Sequence, residues 1–74
     1  MMAYRRTMVR KRVLVSLTTG TVLGGILWAK NGPLLVLKDA ALHEAGREPL
    51  PMDGEVVIER TRVEWVQVLG PVEV

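Results

Sequence analysis

The sequence predicts an all-β protein, a small five-stranded bent antiparallel barrel with a basic N-terminal tail. Apolar residues alternate with others at Val13, Val15 and Leu17, as on one face of a strand. The Asn31-Gly32 pair lies between two apolar runs, which is the pattern of a tight hairpin. The short segments between turn residues leave no room for a crossover helix, so the strands are expected to pair antiparallel.

Turn residues set the limits of the predicted strands, which span residues 9–17, 21–30, 34–41, 55–58 and 63–69. Residues 42–53 contain Gly46, Pro49 and Pro51 and are predicted to be a loop. The sequence therefore predicts one barrel over residues 9–69, with a basic N-terminal tail at 1–8 and a C-terminal tail at 70–74.

The length of 74 residues and the absence of cysteine limit how the chain can be stabilised. Disulfides and thiolate metal sites are excluded, so self-association into a homo-oligomer is expected. The single histidine, His43, belongs to no group of metal ligands, and no cofactor is predicted. Asp39 and Asp53 have no nucleophile or base beside them, so no catalytic residue is predicted and the protein is not expected to be an enzyme.

Charge is unevenly distributed along the chain. The first 38 residues carry seven basic residues and no acidic one, whereas the last 36 carry three basic and eight acidic residues. Such opposite poles allow head-to-tail association, or contact between the basic end and an acidic partner. The predicted basic arm, either a solvated tail or a segment that docks on nucleic acid or acidic protein, consists of Arg5, Arg6, Arg10, Lys11 and Arg12.

The uncharged segment 13–29 has a second possible identity, as the helix of a small single-pass membrane protein. Seventeen residues of helix would rise only about 25 Å, less than the roughly 30 Å of a hydrocarbon core. Several hydroxyl residues and Gly20, Gly24 and Gly25 also interrupt it. Two strands and a turn are therefore favoured over a membrane anchor.

A protein-binding surface is predicted on the second strand and on the last two. Val22, Ile26 and Trp28 alternate on the face opposite Leu23 and Leu27, and they would form an exposed patch in a monomer. The last two strands are also expected to pair with another chain, either a second copy or a different protein. The predicted interface residues are Val22, Ile26, Trp28, Val56, Val57, Ile58, Trp65, Val66 and Val68.

The spacing of glycines and apolar residues over 9–69 resembles the Sm-like family of small barrels, which are SH3-like in form. The residues that carry this resemblance are Val13, Val15, Leu17, Gly20, Gly25, Leu27, Leu37 and Ala40, followed by Gly54, Val56, Val57, Ile58, Val63, Trp65 and Val66. The resemblance implies a five-stranded bent barrel whose last two strands are unpaired edges. In one branch of the family it also implies a ring that binds RNA.

Two loops depart from the pattern of RNA-binding Sm proteins. The resemblance implies an Asp and an Asn between the second and third strands, where this chain has Asn31 and then Leu34 or Leu35. It also implies Arg-Gly after the fourth strand, where this chain has Glu59-Arg60. Because a carboxylate at Glu59 repels phosphate, RNA is not expected as a ligand.

The chain also looks like short Sm-like proteins encoded among the structural genes of tailed actinobacterial phages, through its DGEVVI and WVQV segments. That resemblance implies a non-enzymatic phage structural protein of the virion, either a capsid-associated minor capsid or decoration protein or a head–tail connector component. Its partners would be capsid, portal or tail proteins or copies of itself, not RNA or a membrane. Its location would be the virion, or otherwise the cytoplasm. The alternative function is an Sm-type RNA-binding ring.

Overall fold

The computed structural model describes residues 10–71, and this part of the chain is built from strands. They are β1 (Lys11–Leu17), β2 (Val22–Asn31), β3 (Leu34–His43), β4 (Leu50–Pro51), β5 (Glu55–Glu59) and β6 (Val63–Pro71), with a 3₁₀ turn at Arg60–Arg62 between the last two. The predicted all-β fold is confirmed, and the ends of the five predicted strands differ from the observed ones by no more than two residues. The predicted N-terminal tail and the residues Arg5 and Arg6 lie outside the described residues.

The segment proposed as a membrane anchor folds as β1, a turn and most of β2. Leu17 and Thr21 are joined across that turn by a backbone hydrogen bond of 2.8 Å from the Leu17 N–H to the Thr21 carbonyl. Within residues 10–71 the structure contains no helix with the length and apolar character that a membrane crossing requires.

The strands form one antiparallel sheet in the order β4-β3-β2-β1-β6, with β5 also paired to β3. Within the described residues β5 pairs only with β3 and β6 only with β1, so each leaves one edge without a partner strand. The sheet is therefore bent but open between β5 and β6. This confirms that the last two predicted strands are edges.

The short strand β4 lies in the segment that the sequence predicted to be a loop. Leu50 and Pro51 pair with Leu42 and Ala41 of β3, which extends two residues beyond its predicted end. Proline is tolerated at a sheet edge, where no further strand needs its missing N–H. The loop prediction for 42–53 is wrong at this point, because a short pairing at the edge of the sheet accommodates Pro51.

The core lies on the concave side of the bent sheet. Its buried side chains are aliphatic and come from four strands: Val13, Val15, Leu23, Leu27, Leu35, Leu37, Ala40 and Ile58. Burial of each large member stabilises the fold by about 1.5–3 kcal/mol relative to exposure. The alternation predicted for Val13, Val15 and Leu17 is present, with Leu17 packed at the border of this cluster.

Two glycines allow β2 to bend sharply across β3. A Cβ at Gly24 would lie 2.5 Å from His43 Nε2, and one at Gly25 would lie 3.0 Å from the Lys38 carbonyl oxygen. Opposite Gly25, β3 contains an extra residue, and Asp39 there has a φ of 50°. The close approach of the two backbones therefore depends on the absence of a side chain at Gly25, whereas a side chain at Gly24 would meet the His43 imidazole.

A second irregularity is a bulge at Trp28. Leu27 pairs with Leu37 and Ala29 pairs with Val36, so Trp28 is an extra residue in β2. After the bulge Lys30 pairs with Leu35, which belongs to the core. Cross-strand partners share a face of the sheet, so Lys30 lies on the core side at the end of β2.

Candidate nucleic-acid interface

Two loops meet at one end of the sheet and form what is termed here the loop end: residues 30–34 and 59–62. The Arg60 N–H donates a hydrogen bond of 2.7 Å to the Pro33 carbonyl. Asn31 and Glu59 both pair in register with Leu34, so the three residues form one row across β2, β3 and β5. The positions singled out from the two loops of the sequence are therefore adjacent in the fold.

A tight turn gives the first loop its shape. Asn31 pairs with Leu34, which leaves Gly32 and Pro33 as the two residues of the turn. Gly32 has a φ of 57°, a left-handed conformation that glycine adopts without strain and that tight hairpins require. Because the turn is so short, Asn31 is exposed at its edge.

The 3₁₀ turn is fixed by hydrogen bonds at both of its ends. Arg60 is bound through its N–H to Pro33, and the Arg62 carbonyl accepts a 2.8 Å hydrogen bond from the Thr18 N–H. Both arginine side chains are exposed. The turn therefore presents two guanidinium groups from a backbone that is tied to two neighbouring loops.

The charge of the loop end is mainly positive. Lys30, Arg60 and Arg62 supply three cations, and the exposed Glu59 supplies one carboxylate. Guanidinium groups pair with phosphate and stack on bases, and the Asn31 amide carries both donors and an acceptor. This set of groups suits a single-stranded nucleic acid better than it suits catalysis. Residues 10–71 also contain no group of three or more metal-binding side chains.

The expectation that Glu59 removes an RNA site gives no weight to the two cations that follow it. The resemblance places a carboxylate, Glu59, where a cation is expected, but Arg60 and Arg62 follow directly in the chain. The structure shows that Arg60 contacts the opposite loop through its backbone. The available sequence signal was the Arg-Thr-Arg segment directly after the fourth predicted strand.

The predicted interface residues fall into three groups by exposure. Ile26 and Ile58 are buried, Val57 and Trp65 are exposed, and Val22, Trp28, Val56, Val66 and Val68 are half-buried. Ile26 retains only 7% of its exposure, so the expected exposed patch of Ile26 and Trp28 does not exist. The role of these residues as a protein interface stays a prediction.

Part of the predicted basic arm lies on the outer face of the sheet, away from the core. Lys11 is half-buried at the start of β1, and Arg10 and Arg12 are exposed. The Arg10 guanidinium carbon lies 3.7 Å from the centroid of the Trp28 ring. Arg10 is therefore exposed but packs against the Trp28 ring.

Solved structures of archaeal Sm-like proteins share this fold. The SmAP1 heptamer of P. aerophilum is 24% identical, covers 93% of this chain and 92% of its own, and superposes with a TM-score of 0.80. A heptameric archaeal Sm protein is 25% identical, with coverage of 90% and 97% and a TM-score of 0.78. The Pyrococcus abyssii Sm protein in complex with a uridine heptamer is 25% identical, with coverage of 90% and 94% and a TM-score of 0.76.

No protein-family model and no curated protein matches the chain. The Sm-like fold inferred from the glycine and apolar spacing is confirmed by these structures. The expected phage virion role, with capsid, portal or tail proteins as partners, is contradicted, because the similar structures are heptameric archaeal Sm-like proteins. The expectation that RNA is not a ligand is also contradicted, because one of these proteins holds a uridine heptamer.

Proposed function

We propose that the protein assembles into an Sm-type ring that binds single-stranded RNA at the loop end. One observation carries the proposal: the hydrogen bond from the Arg60 N–H to the Pro33 carbonyl joins the two loops, which brings Arg60 to the hairpin that carries Asn31. The similarity to an Sm protein solved with a uridine heptamer supports this choice of ligand. A role in binding is proposed, and no reaction is assigned to the chain.

The groups at the loop end would make different contacts with RNA. A flat guanidinium at Arg60 or Arg62 can stack on an unpaired base or pair with its phosphate. The Asn31 amide can donate to and accept from the edge of a base, as uracil recognition requires. Glu59 opposes phosphate at this end and lowers the affinity that the cations would otherwise give.

Ring assembly would use the unpaired edges of β5 and β6. The edge of β5 in one copy can pair with the edge of β6 in the next, and such head-to-tail contacts close into a ring. Val57 and Trp65 lie on these edge strands and are 55% and 46% exposed, so pairing would cover apolar surface. A ring also repeats the loop end around its axis, which strengthens binding of a strand that reaches several copies.

The test measures the affinity of the purified protein for oligouridine by fluorescence anisotropy, with its mass in solution measured in parallel. Asn31→Ala and Arg60→Ala are each expected to weaken binding about tenfold, in line with loss of about 1–3 kcal/mol for one base contact. Arg47→Ala is the matched control, because Arg47 is an exposed cation in the loop at the other end of β3. Equal affinity in all four proteins would contradict the proposed loop-end site.

A further inference from the structure

The outer face of the sheet carries a group of cations around one indole, termed here the outer cluster: Arg10, Trp28 and Lys38. Lys38 Nζ lies 4.1 Å from the centroid of the Trp28 ring, on which Arg10 also packs at 3.7 Å. Both distances are within the range of favourable cation–π contact. None of these three residues belongs to the loop end.

The backbone holds the outer cluster in place. The Arg10 N–H donates a 2.6 Å hydrogen bond to the Leu27 carbonyl, directly before the bulge that carries Trp28. Arg10 has a φ of 68°, an uncommon conformation for a residue other than glycine. Ile26 pairs in register with both Arg12 and Lys38, so these two cations flank it on the same face.

The charges of the outer cluster favour an anionic ligand. Within residues 10–71, Glu55 is the acidic residue that forms an ion pair with the outer cluster. Its Oε2 lies 3.7 Å from Lys38 Nζ. Both partners of this ion pair are substantially exposed, at 37% and 54%. Such an exposed pair contributes little, so a phosphate can replace the carboxylate at small cost.

We propose that the outer cluster is a second contact for the RNA strand held at the loop end. A base would stack on the Arg10 guanidinium, which the indole holds in place, and an adjacent phosphate would pair with Lys38. Trp28 is then a positioning residue for Arg10. This inference rests on the proposed RNA-binding function and extends it to a surface outside the loop end.

The distance between the two surfaces fits one continuous strand. Trp28 precedes Asn31 by three residues on β2, which corresponds to about 10 Å along the strand at roughly 3.3 Å per residue. Nucleic acid is favoured over an acidic polypeptide because a base uses the flat Arg10–Trp28 stack, whereas a carboxylate needs only the cations.

The experiment follows the fluorescence of Trp28 after the other tryptophan is replaced. In a Trp65→Phe protein the remaining tryptophan fluorescence comes from Trp28, and its quenching by oligouridine is the direct readout. Arg10→Ala is expected to weaken binding of a long oligouridine about fivefold. Lys38→Ala is expected to reduce the slope of log K against the logarithm of salt concentration by about 0.7 for each copy of the chain that contacts the strand. Arg47→Ala should change neither quantity. Circular dichroism verifies that each variant retains its β structure.

The outcomes separate this inference from the proposed function. Trp28 fluorescence that does not change while Asn31-dependent binding persists would overturn the outer contact alone. Absence of any oligouridine affinity in the unaltered protein would overturn both proposals. Equal quenching of Trp28 by a poly-glutamate peptide would assign the cluster to acidic polypeptides and would also overturn the inference.

Discussion

Asn31 and Glu59 lie in the same cross-strand row, because each pairs in register with Leu34 between them. Two strand spacings of about 4.8 Å place their backbones roughly 10 Å apart. The carboxylate of Glu59 is thus within a nucleotide's reach of the amide that is proposed to contact a base. The loop end contains both a favourable and an unfavourable group for the same ligand.

Replacing Glu59 by Gln is therefore expected to increase the affinity for oligouridine. Removal of one exposed charge repulsion should raise the binding constant about two- to fivefold, the range of a modest surface interaction. The measurement is fluorescence anisotropy at low salt, where the gain should be greatest. Glu48→Gln removes the same charge from the loop after β3 and should leave the affinity unchanged. A gain of equal size in both variants would point to net charge and not to the loop end.

The loss of stability caused by a substitution at Gly24 is expected to depend on the side chain at position 43. Gly24→Ala should destabilise the fold by about 1–3 kcal/mol, because its Cβ would meet His43 Nε2 at 2.5 Å. His43→Ala should remove more than half of that loss, since the two nearest atoms, at 2.5 and 3.1 Å, belong to the exposed His43 side chain and the next, Leu14 Cδ2, lies at 3.2 Å. The free energy of unfolding is measured in urea at one fixed protein concentration.

Gly25→Ala provides the matched comparison for this pair. Its Cβ would meet the Lys38 carbonyl oxygen at 3.0 Å and the Ala40 Cα at 3.1 Å, which are backbone atoms. His43→Ala should therefore not reduce the loss in free energy of unfolding that Gly25→Ala causes. Rescue of both glycine variants by His43→Ala would show that the bend of β2 is not limited by these contacts.

Assembly is expected to depend on Trp65. Trp65→Glu places a charge on the β6 edge strand, on a side chain that is 46% exposed in the single chain. The fold should remain, and the assembly should dissociate because the charge would be buried without a partner. Native mass spectrometry measures the assembly and circular dichroism the fold. Leu50→Glu alters a similarly exposed residue outside β5 and β6 and should leave the mass unchanged.

A substitution in the core is expected to lower the free energy of unfolding more than one at an exposed position. Leu37 is fully buried, and Leu37→Ala is expected to lower the free energy of unfolding by about 2–5 kcal/mol. Val57→Ala removes apolar atoms from a 55% exposed side chain and should cost less than about 1 kcal/mol at concentrations where the chain is monomeric. Similar losses for both would contradict the assignment of the concave side as the core.

The fold was predictable from local patterns. Alternation at Val13 and Val15 indicated a core face, and the residues around Gly32 indicated a hairpin. Period-two alternation cannot reveal a bulge, however, because the extra residue is defined only by pairing with another strand. The burial of Ile26 and the packing of Arg10 on Trp28 were therefore not predictable from alternation.

The candidate site was predictable only in part. The sequence identifies the two loops, but it does not show that Arg60 lies against the hairpin that carries Asn31 and can offset the charge of Glu59. The 3₁₀ turn that presents Arg60 depends on its hydrogen bond to Pro33, a residue 27 positions earlier in the chain. Contacts of this sequence separation cannot be inferred from motif spacing alone.

The bulge at Trp28 has an evolutionary consequence. Because Leu27 already pairs with Leu37 and Ala29 with Val36, loss of the single codon for Trp28 would leave both neighbouring pairs in register. Trp28 is thus an extra residue that the pairing of β2 with β3 does not require. A lineage could gain or lose the outer surface in one step while the pairing that positions Asn31 stays the same, so the two faces of the protein are free to diverge independently.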